Sequence, residues 1–229
     1  MTTTTNVGNC VSQLQKDVRF SIYGDADCYN PFFDIRDVKH LRWGAKLPHW
    51  HQDGKYVFVT FRLADSIPQN KLLEYKEEKE MWLKRHPRPW DADIQQEYDQ
   101  KFGKTIDKWL DNNYGSCVLR SEKNRKIVED ALHFFDGKRY HLKAFVVMPN
   151  HVHLFFQMIE GYPLEKIMRS LKSFTAKAIN KELKQEGRLW QSESYDHIVR
   201  DEDEYKHVLK YILSNNSELA WIKDDAIPL

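Results

Sequence analysis

The chain has few cysteines, and their spacing excludes the two structures that cysteines most often build. Cys10, Cys28 and Cys117 are the three cysteines among 229 residues, and no two of them form a Cys-x-x-Cys pair. An odd total without that spacing argues against a disulfide framework and against a zinc finger. We therefore expect ordinary thiols.

Long hydrophobic runs and a strong excess of one charge are also missing. No apolar run approaches the roughly 20 residues that a membrane-spanning helix needs. The polar start, MTTTTNVGN, lacks the apolar segment of a secretory signal, and we expect a cytoplasmic protein. The formal net charge of +1 excludes a polycation, so any contact with nucleic acid has to use a local basic surface.

The apolar pattern predicts an α+β fold. Its order is strand, helix, strand, strand, helix, strand, helix, which favours a ferredoxin-like split βαβ antiparallel sheet with helices on one face. The predicted strands are 55–64, 140–147, 151–158 and 197–199. The predicted helices of this order are 123–135, 164–183 and a last one that a capping box at 201–204 begins and that ends near 215. Two further helical stretches, 69–85 and 91–112, form an inserted helical arm after the first strand.

The most informative segment is 147–156, VMPNHVHLFF, a Pro-Asn turn that leads into an apolar strand. Because side chains alternate along a strand, His151 and His153 lie on one face, and the apolar residues between and after them lie on the other. Two imidazoles on one face make half of a chelating site. The alternative is a pair of histidines on the solvated face of an edge strand.

The last predicted helix carries a second signal. Tyr211 and Asn215 are four residues apart, which places them roughly 6 Å from each other on one side of the helix. An amide oxygen suits a third metal ligand, and the phenol would then face what the metal binds. The alternative is a tyrosine at the edge of the buried stripe and an asparagine at a helix end, where asparagine is favoured.

Together these segments resemble the REP-associated tyrosine transposases, a branch of the single-tyrosine HUH transposases. The resemblance covers about 47–216. It depends on the segments LPHW at 47–50, YVFVTFRLADS at 56–66, MPNHVHLFF at 148–156, LWQ at 189–191, DHIVRD at 196–201, and Tyr205, Tyr211, Ile212 and Asn215.

The resemblance implies a role for each matching residue. His151 and His153 would be metal ligands, Asn215 the third ligand, and Tyr211 the nucleophile. It also implies a metal-dependent endonuclease and strand transferase, with Mg²⁺ or Mn²⁺, that cuts single-stranded DNA beside imperfect hairpins and leaves a 5′-phosphotyrosine. Sequence does not decide between the two ions, nor between a monomer and a homodimer.

DNA contacts are predicted on the basic helix and its flanks. The segment 163–188 contains seven cations and three anions, which would make binding strongly salt-dependent, although a solvated helix face explains the charges equally well. Trp190 could stack on an unpaired base or belong to the core. The predicted DNA ligands are Lys166, Arg169, Lys172, Lys177, Trp190 and Arg200.

The predicted domain organisation has three parts. An N-terminal extension, partly disordered, covers 1–46; the HUH transposase-like catalytic domain covers 47–216 with its helical insertion at about 69–112; a tail covers 217–229. Two other functions stay open. One is a non-covalent metal-dependent phosphodiesterase in which Tyr211 is structural, and the other is a hairpin-binding module that does not cut.

Overall fold

The structure is a computed structural model, and it describes residues 31–33, 40–43, 48–87, 92–98, 101–102 and 105–226. The predicted N-terminal extension, 1–46, therefore lies mostly outside the described residues. Its described strand β1 (His40–Trp43) pairs in an antiparallel arrangement with β2 (Pro48–His51), which follows the extension, and the sequence predicted neither strand.

The other elements follow the predicted order closely. The strands are β3 (Tyr56–Arg62), β4 (Tyr140–Val147), β5 (His151–Met158), β6 (Tyr195–Ile198) and β7 (Trp221–Ile222). The arm contains α1 (Gln69–Arg85), α2 (Ala92–Tyr98) and α3 (Thr105–Asp111), and the remaining helices are α4 (Glu122–Phe135), α5 (Leu164–Leu183) and α6 (Glu202–Asn215).

Within the described residues, five strands form one antiparallel sheet in the order β6-β3-β5-β4-β7. The βαββαβ run contains the four strands β3, β4, β5 and β6. In the sheet they lie in the order fourth, first, third, second. This arrangement confirms the predicted α+β, ferredoxin-like architecture. Strand β7 adds an edge to it, so residues of the predicted tail are part of the sheet.

The two faces of the sheet have separate cores. Helices α4 and α5 pack on one face, against alternate residues of the central strands that include Val59, Leu154 and Phe156. Helix α6 packs on the opposite face, where Val208, Leu209 and Ile212 contact the other set of alternate residues. The prediction of helices on one face holds for α4 and α5, and α6 covers the second.

The buried side of α5 differs from the prediction at its C-terminal half. The apolar spacing predicts burial of Phe174 and Leu183, yet their side chains are 58% and 37% exposed. Thr175 and Ile179 are buried instead. Thr175 is tolerated there because its hydroxyl donates to Leu171 O at 2.8 Å and accepts from the indole N–H of Trp190 at 2.9 Å, which satisfies the polar group.

None of the helices among the described residues is both long enough and apolar enough to span a membrane.

Candidate active site

The predicted histidine pair lies on the α6 face of the sheet. Alternation along β5 directs Val152 and Leu154 into the α4–α5 core and leaves His151 and His153 on the other side. Both imidazoles are buried, and their Nε2 atoms are 3.0 Å apart. The alternative of a solvated edge strand is wrong, because β5 pairs with a strand on each side.

The outer nitrogen of each imidazole has a hydrogen-bond partner. His151 Nδ1 is 2.7 Å from Asn150 Oδ1, and His153 Nδ1 is 2.8 Å from Thr60 Oγ1. An amide oxygen only accepts, so His151 Nδ1 carries the proton and its Nε2 keeps a lone pair. The lone pair of His151 Nε2 accepts from His153 Nε2–H at 3.0 Å when no metal is bound, and the Thr60 hydroxyl then donates to His153 Nδ1. Because this hydroxyl both donates and accepts, it would also accept from Nδ1–H if His153 Nε2 bound a cation.

Burial keeps both imidazoles neutral at physiological pH. Desolvation lowers the pKa of His151 to about 4. The pKa of His153 is also well below its usual value, because of desolvation first and of repulsion from His151 second. Neutral imidazole is the form that ligates metal ions.

The pair fits a divalent cation. Two ligands at adjacent corners of an octahedron, each about 2.1 Å from the ion, lie about 3.0 Å apart, which is the separation of the Nε2 atoms. Among the residues that the structure describes, no group of three or more His, Cys, Asp or Glu side chains is placed to hold a metal.

Asn215 lies in the last turn of α6 and is partly buried. Its Nδ2 donates to Tyr211 O, one turn earlier, at 2.8 Å. The nitrogen of the amide is therefore engaged with the backbone, and Oδ1 is the atom of this group that has ligand chemistry.

Tyr211 packs beside the histidine pair. Its ring centroid lies 5.0 Å from that of His153 in an edge-on arrangement, and 5.8 Å from that of Phe58. Phe58 in turn stacks on His153 at 5.6 Å with an interplanar angle of 16°. Phe58 thus contacts both rings and holds the tyrosine next to the imidazoles.

The start of α6 follows the predicted capping pattern in a modified form. Asp201 Oδ1 accepts from Glu204 N at 2.8 Å, as a capping box requires. The Glu204 carboxylate does not return to Asp201; it accepts from Arg200 N and from His197 Nε2, each at 2.7 Å. The cap therefore also joins α6 to β6.

The predicted DNA ligands fall into three groups: four exposed cations, one partly buried lysine and one buried tryptophan. Lys166, Arg169 and Lys177 are exposed on α5, and Arg200 is exposed before α6. Because α5 covers the sheet face opposite to the histidines, the structure does not bring these lysines and Arg169 together with His151 and His153.

Lys172 is held by the protein and does not project freely from α5. Its ammonium group donates to three carbonyl oxygens, those of Gln191, Ser192 and Glu193, at 3.0, 3.2 and 3.3 Å. These contacts use all three donors of the group. Desolvation first, and repulsion by Arg62 second, lower the pKa of Lys172 to about 8. Its contacts support the loop 191–193.

The prediction that Trp190 stacks on DNA bases is wrong for this structure. The indole is 4% exposed and packs edge-on against Phe61 with ring centroids 4.9 Å apart. Its N–H donates to Thr175. The alternative reading of Trp190 as a core residue is the correct one, because a tryptophan whose N–H has a buried partner is satisfied in the core.

Sequence reasoning missed the residues that β3 contributes. Phe58, Thr60 and Arg62 alternate along β3, and Thr60 and Arg62 lie opposite His153 and His151 in the register. The signal was present as three alternate positions in YVFVTFR, but the pairing register decides which neighbours they meet. The Arg62 side chain contacts the segment after β3, where its Nη1 donates to Ser66 Oγ at 3.0 Å, and its charge is close enough to Lys172 to lower the pKa of that ammonium group.

A cavity of about 470 Å³ lies between α5 and the loop 187–194. Leu164, Met168 and Trp190 are among its apolar lining residues, and Arg169 and Arg188 are among its cations. It is next to the predicted DNA ligands and away from the histidine pair.

Comparison with known proteins gives a family match and a match to solved structures. Residues 112–215 match the family described as "Transposase IS200 like". A solved structure of a REP-associated tyrosine transposase bound to a REP hairpin is similar with 17% sequence identity and a TM-score of 0.46, over 76% of this chain and 74% of that chain. No curated protein matches the chain.

The family match includes all the residues for which the sequence predicts a site role, from His151 to Asn215. It covers somewhat less than half of the chain and begins just after the helical arm. The family match therefore agrees with the predicted resemblance over the segment that holds the candidate site.

Proposed function

We propose that the chain is a metal-dependent single-stranded DNA endonuclease and strand transferase that acts at hairpin-flanked sites through a 5′-phosphotyrosine intermediate. One observation carries the proposal. The Nε2 atoms of His151 and His153 converge at 3.0 Å, and the Tyr211 ring lies 5.0 Å from the His153 ring. A pair of ligand atoms and a phenol in one place, within a segment that matches a transposase family, support this chemistry together.

The cation would be Mg²⁺ or Mn²⁺, held by Nε2 of His151, Nε2 of His153 and Oδ1 of Asn215. Imidazole favours Mn²⁺, and an amide oxygen suits both ions. Once bound, such an ion supplies several kcal/mol by polarising the oxygens of the scissile phosphate. Three protein ligands leave coordination positions for those oxygens.

The covalent step joins Tyr211 Oη to the scissile phosphorus and breaks the bond between phosphorus and the 3′-oxygen. The phenol loses a proton and the departing 3′-oxygen gains one, so the products are a 5′-phosphotyrosine and a free 3′-hydroxyl. Attack of another 3′-hydroxyl on the phosphotyrosine reverses these bond changes and transfers the strand. An ordinary phenol is about 0.1% ionised at neutral pH, and the step therefore depends on positive charge nearby.

The DNA path would run over both faces of the sheet. Lys166, Arg169 and Lys177 offer phosphate contacts on α5, and Arg200 offers one just after the edge strand β6. A strand that reaches the histidine face from α5 has to pass around an edge of the sheet. On that face the backbone of Arg62 lies opposite that of His151 in the strand register.

The experiment is incubation of the full chain with labelled hairpin-bearing single strands and Mn²⁺, followed by denaturing gels. We expect a slow-migrating covalent product with the unmodified chain and none with Tyr211→Phe, whose hairpin binding should be unchanged. Tyr205→Phe is the matched control on the same helix. Its hydroxyl donates to Ala226 O at 3.0 Å in the core, so this change should cost stability, about 1 kcal/mol, and leave the product.

Three outcomes would contradict the proposal. A covalent product that persists with Tyr211→Phe would assign the nucleophile to another residue. Metal-dependent cleavage without a covalent product would favour the phosphodiesterase. Binding of hairpins without any cleavage would favour the non-catalytic module.

A further inference from the structure

Asn150 connects the histidine pair to the helical arm. Its side chain is fully buried, and its Oδ1 accepts from His151 Nδ1 at 2.7 Å. Its Nδ2 donates to Leu110 O and to Tyr114 O, both at 3.2 Å. One amide group therefore bridges the arm and the candidate metal ligand.

The two carbonyl oxygens that hold Asn150 belong to the end of the arm. Leu110 lies in the last turn of α3, where carbonyl groups have no partner within the helix, and Tyr114 lies in the turn that follows. Both oxygens can only accept. They therefore fix the orientation of the amide, with its nitrogen toward the arm and its oxygen toward His151.

The turn after α3 is rigidly placed. Asn113, Gly115 and Cys117 have positive φ angles of 53°, 87° and 49°, a conformation that persists only where the surroundings hold it. Ser116 N donates to Asp65 Oδ2 at 2.7 Å, which ties the turn to the end of β3. A Cβ at Gly115 would lie 2.5 Å from Asp65 O, so the two segments touch at this point.

The backbone around Asn150 is tied to the same region. Leu63 N donates to Asn150 O at 2.9 Å, and Leu119 N donates to Pro149 O at 3.2 Å. The Pro149–Asn150 turn thus lies between the end of β3 and the segment that leaves the arm.

We propose that the arm is a structural part of the metal centre: its last carbonyl groups orient the Asn150 amide, and Asn150 thereby holds His151 in the tautomer that directs a lone pair from Nε2 toward a cation. A reversed amide would present N–H to Nδ1, and the proton of the imidazole would move to Nε2, where it blocks metal binding. Asn150 is a positioning residue and does not contact the cation. The cation itself rests on the proposed function, whereas the tautomer does not.

Two readouts test the proposal on the full chain. Nitrogen-15 NMR of the imidazole ring gives the tautomer of His151 without metal, and titration of free Mn²⁺ by electron paramagnetic resonance gives the affinity. We expect the Nδ1–H form in the unmodified chain. Asn150→Ala should shift His151 toward the Nε2–H form and weaken Mn²⁺ binding by about 10- to 100-fold, as loss of an outer partner of a metal-bound histidine does.

Two variants test separately the contacts that connect Asp65 to His151 through the turn after α3 and Asn150. Asn150→Asp keeps an oxygen for His151 Nδ1 and loses the bonds to the arm, so the Nδ1–H tautomer should survive. Asp65→Ala touches neither histidine and releases the turn at Ser116; we expect a several-fold weaker Mn²⁺ affinity and a mixed tautomer. Asp130→Ala, at an exposed ion pair on α4, is the control and should change neither readout.

The results distinguish this proposal from the proposed function. If the unmodified chain binds no Mn²⁺, the metal centre fails, and the ring spectra still decide the role of Asn150. If Asn150→Ala, or Asp65→Ala where the first variant does not fold, keeps the Nδ1–H tautomer, the role of the arm is disproved even when the unmodified chain cuts DNA.

Discussion

The two faces of the sheet differ in what their side chains form, although the same strands contribute to both: one face forms the main apolar core, and the other contains the candidate site. On the α4–α5 face, alternate residues such as Leu154 and Phe156 join a large apolar core. On the α6 face, the apolar cluster is smaller and His151, His153 and Thr60 interrupt it. Because side chains alternate between the two faces of a strand, one set can form the core that stabilises the fold while the other set forms a functional site.

The largest expected effect is on cleavage, and it distinguishes the two histidines of β5 from their neighbour Leu154 on the other face. His153→Ala together with His151→Ala should abolish metal-dependent cleavage, a loss of at least about 100-fold because a bound ion supplies several kcal/mol, while the fold is kept. Leu154→Ala should instead lower the free energy of unfolding by about 2–5 kcal/mol and leave cleavage by the folded fraction unchanged. Urea unfolding measures the stability and gel assays measure the cleavage. Cleavage by the double variant in the presence of excess chelator would refute the assignment of metal binding to the histidine face.

The histidine face should also lose stability in acid. Below the usual histidine pKa of about 6.5, the unfolded chain binds protons that the folded chain does not, since burial lowers the pKa of His151 to about 4. The free energy of unfolding should fall as the pH drops from about 6.5 toward 4, by about 3 kcal/mol for His151 alone. Urea unfolding at pH 7, 5.5 and 4.5 measures it. His151→Gln should flatten this dependence, and identical curves would contradict the assignment.

A smaller effect tests the α5 face. Trp190→Phe removes the indole N–H that donates to Thr175 and keeps an aromatic ring in the core. We expect a loss of about 1–2 kcal/mol in unfolding free energy, because the Thr175 hydroxyl loses a buried partner, with no change in affinity for single-stranded DNA. Weaker DNA binding at unchanged stability would return Trp190 to the DNA surface.

The smallest effect separates two lysines of α5. Lys177 is exposed, and Lys177→Ala should reduce the slope of log affinity against log salt by about 0.7–0.9 if it contacts a phosphate. Lys172→Ala should lower the urea midpoint and leave the slope nearly unchanged, since its ammonium already binds three carbonyl groups. Fluorescence anisotropy at several salt concentrations measures the slopes, and equal slopes for the two variants would contradict the distinction.

Much of the fold was predictable because local patterns were strong. The alternation in β5 and the stripe Val208, Leu209 and Ile212 on α6 matched the structure. The predictions failed where burial depends on distant partners. Phe174 is exposed and Thr175 is buried because Trp190, fifteen residues away, supplies a partner for the hydroxyl of Thr175.

The candidate site shows the same limit. Spacing indicated that His151 and His153 share a face and that Tyr211 and Asn215 share another. It did not indicate that β3 brings Phe58 into contact with the rings of His153 and Tyr211, or Thr60 into hydrogen-bond contact with His153. Nor did it indicate that the arm contacts Asn150, since Leu110 and Asn150 are 40 residues apart.

Short-range order therefore follows from the residues themselves: periodicity, caps and turns set the strands and helices, and the strand period puts both histidines on one side. The packing of the folded chain decides the rest. Strand register selects Thr60 as the partner of His153, helix placement separates the α5 cations from the histidines, and burial turns Lys172 and Trp190 inward. These contacts join residues far apart in sequence, and their energies depend on which groups meet and how far water is excluded, which local patterns do not contain.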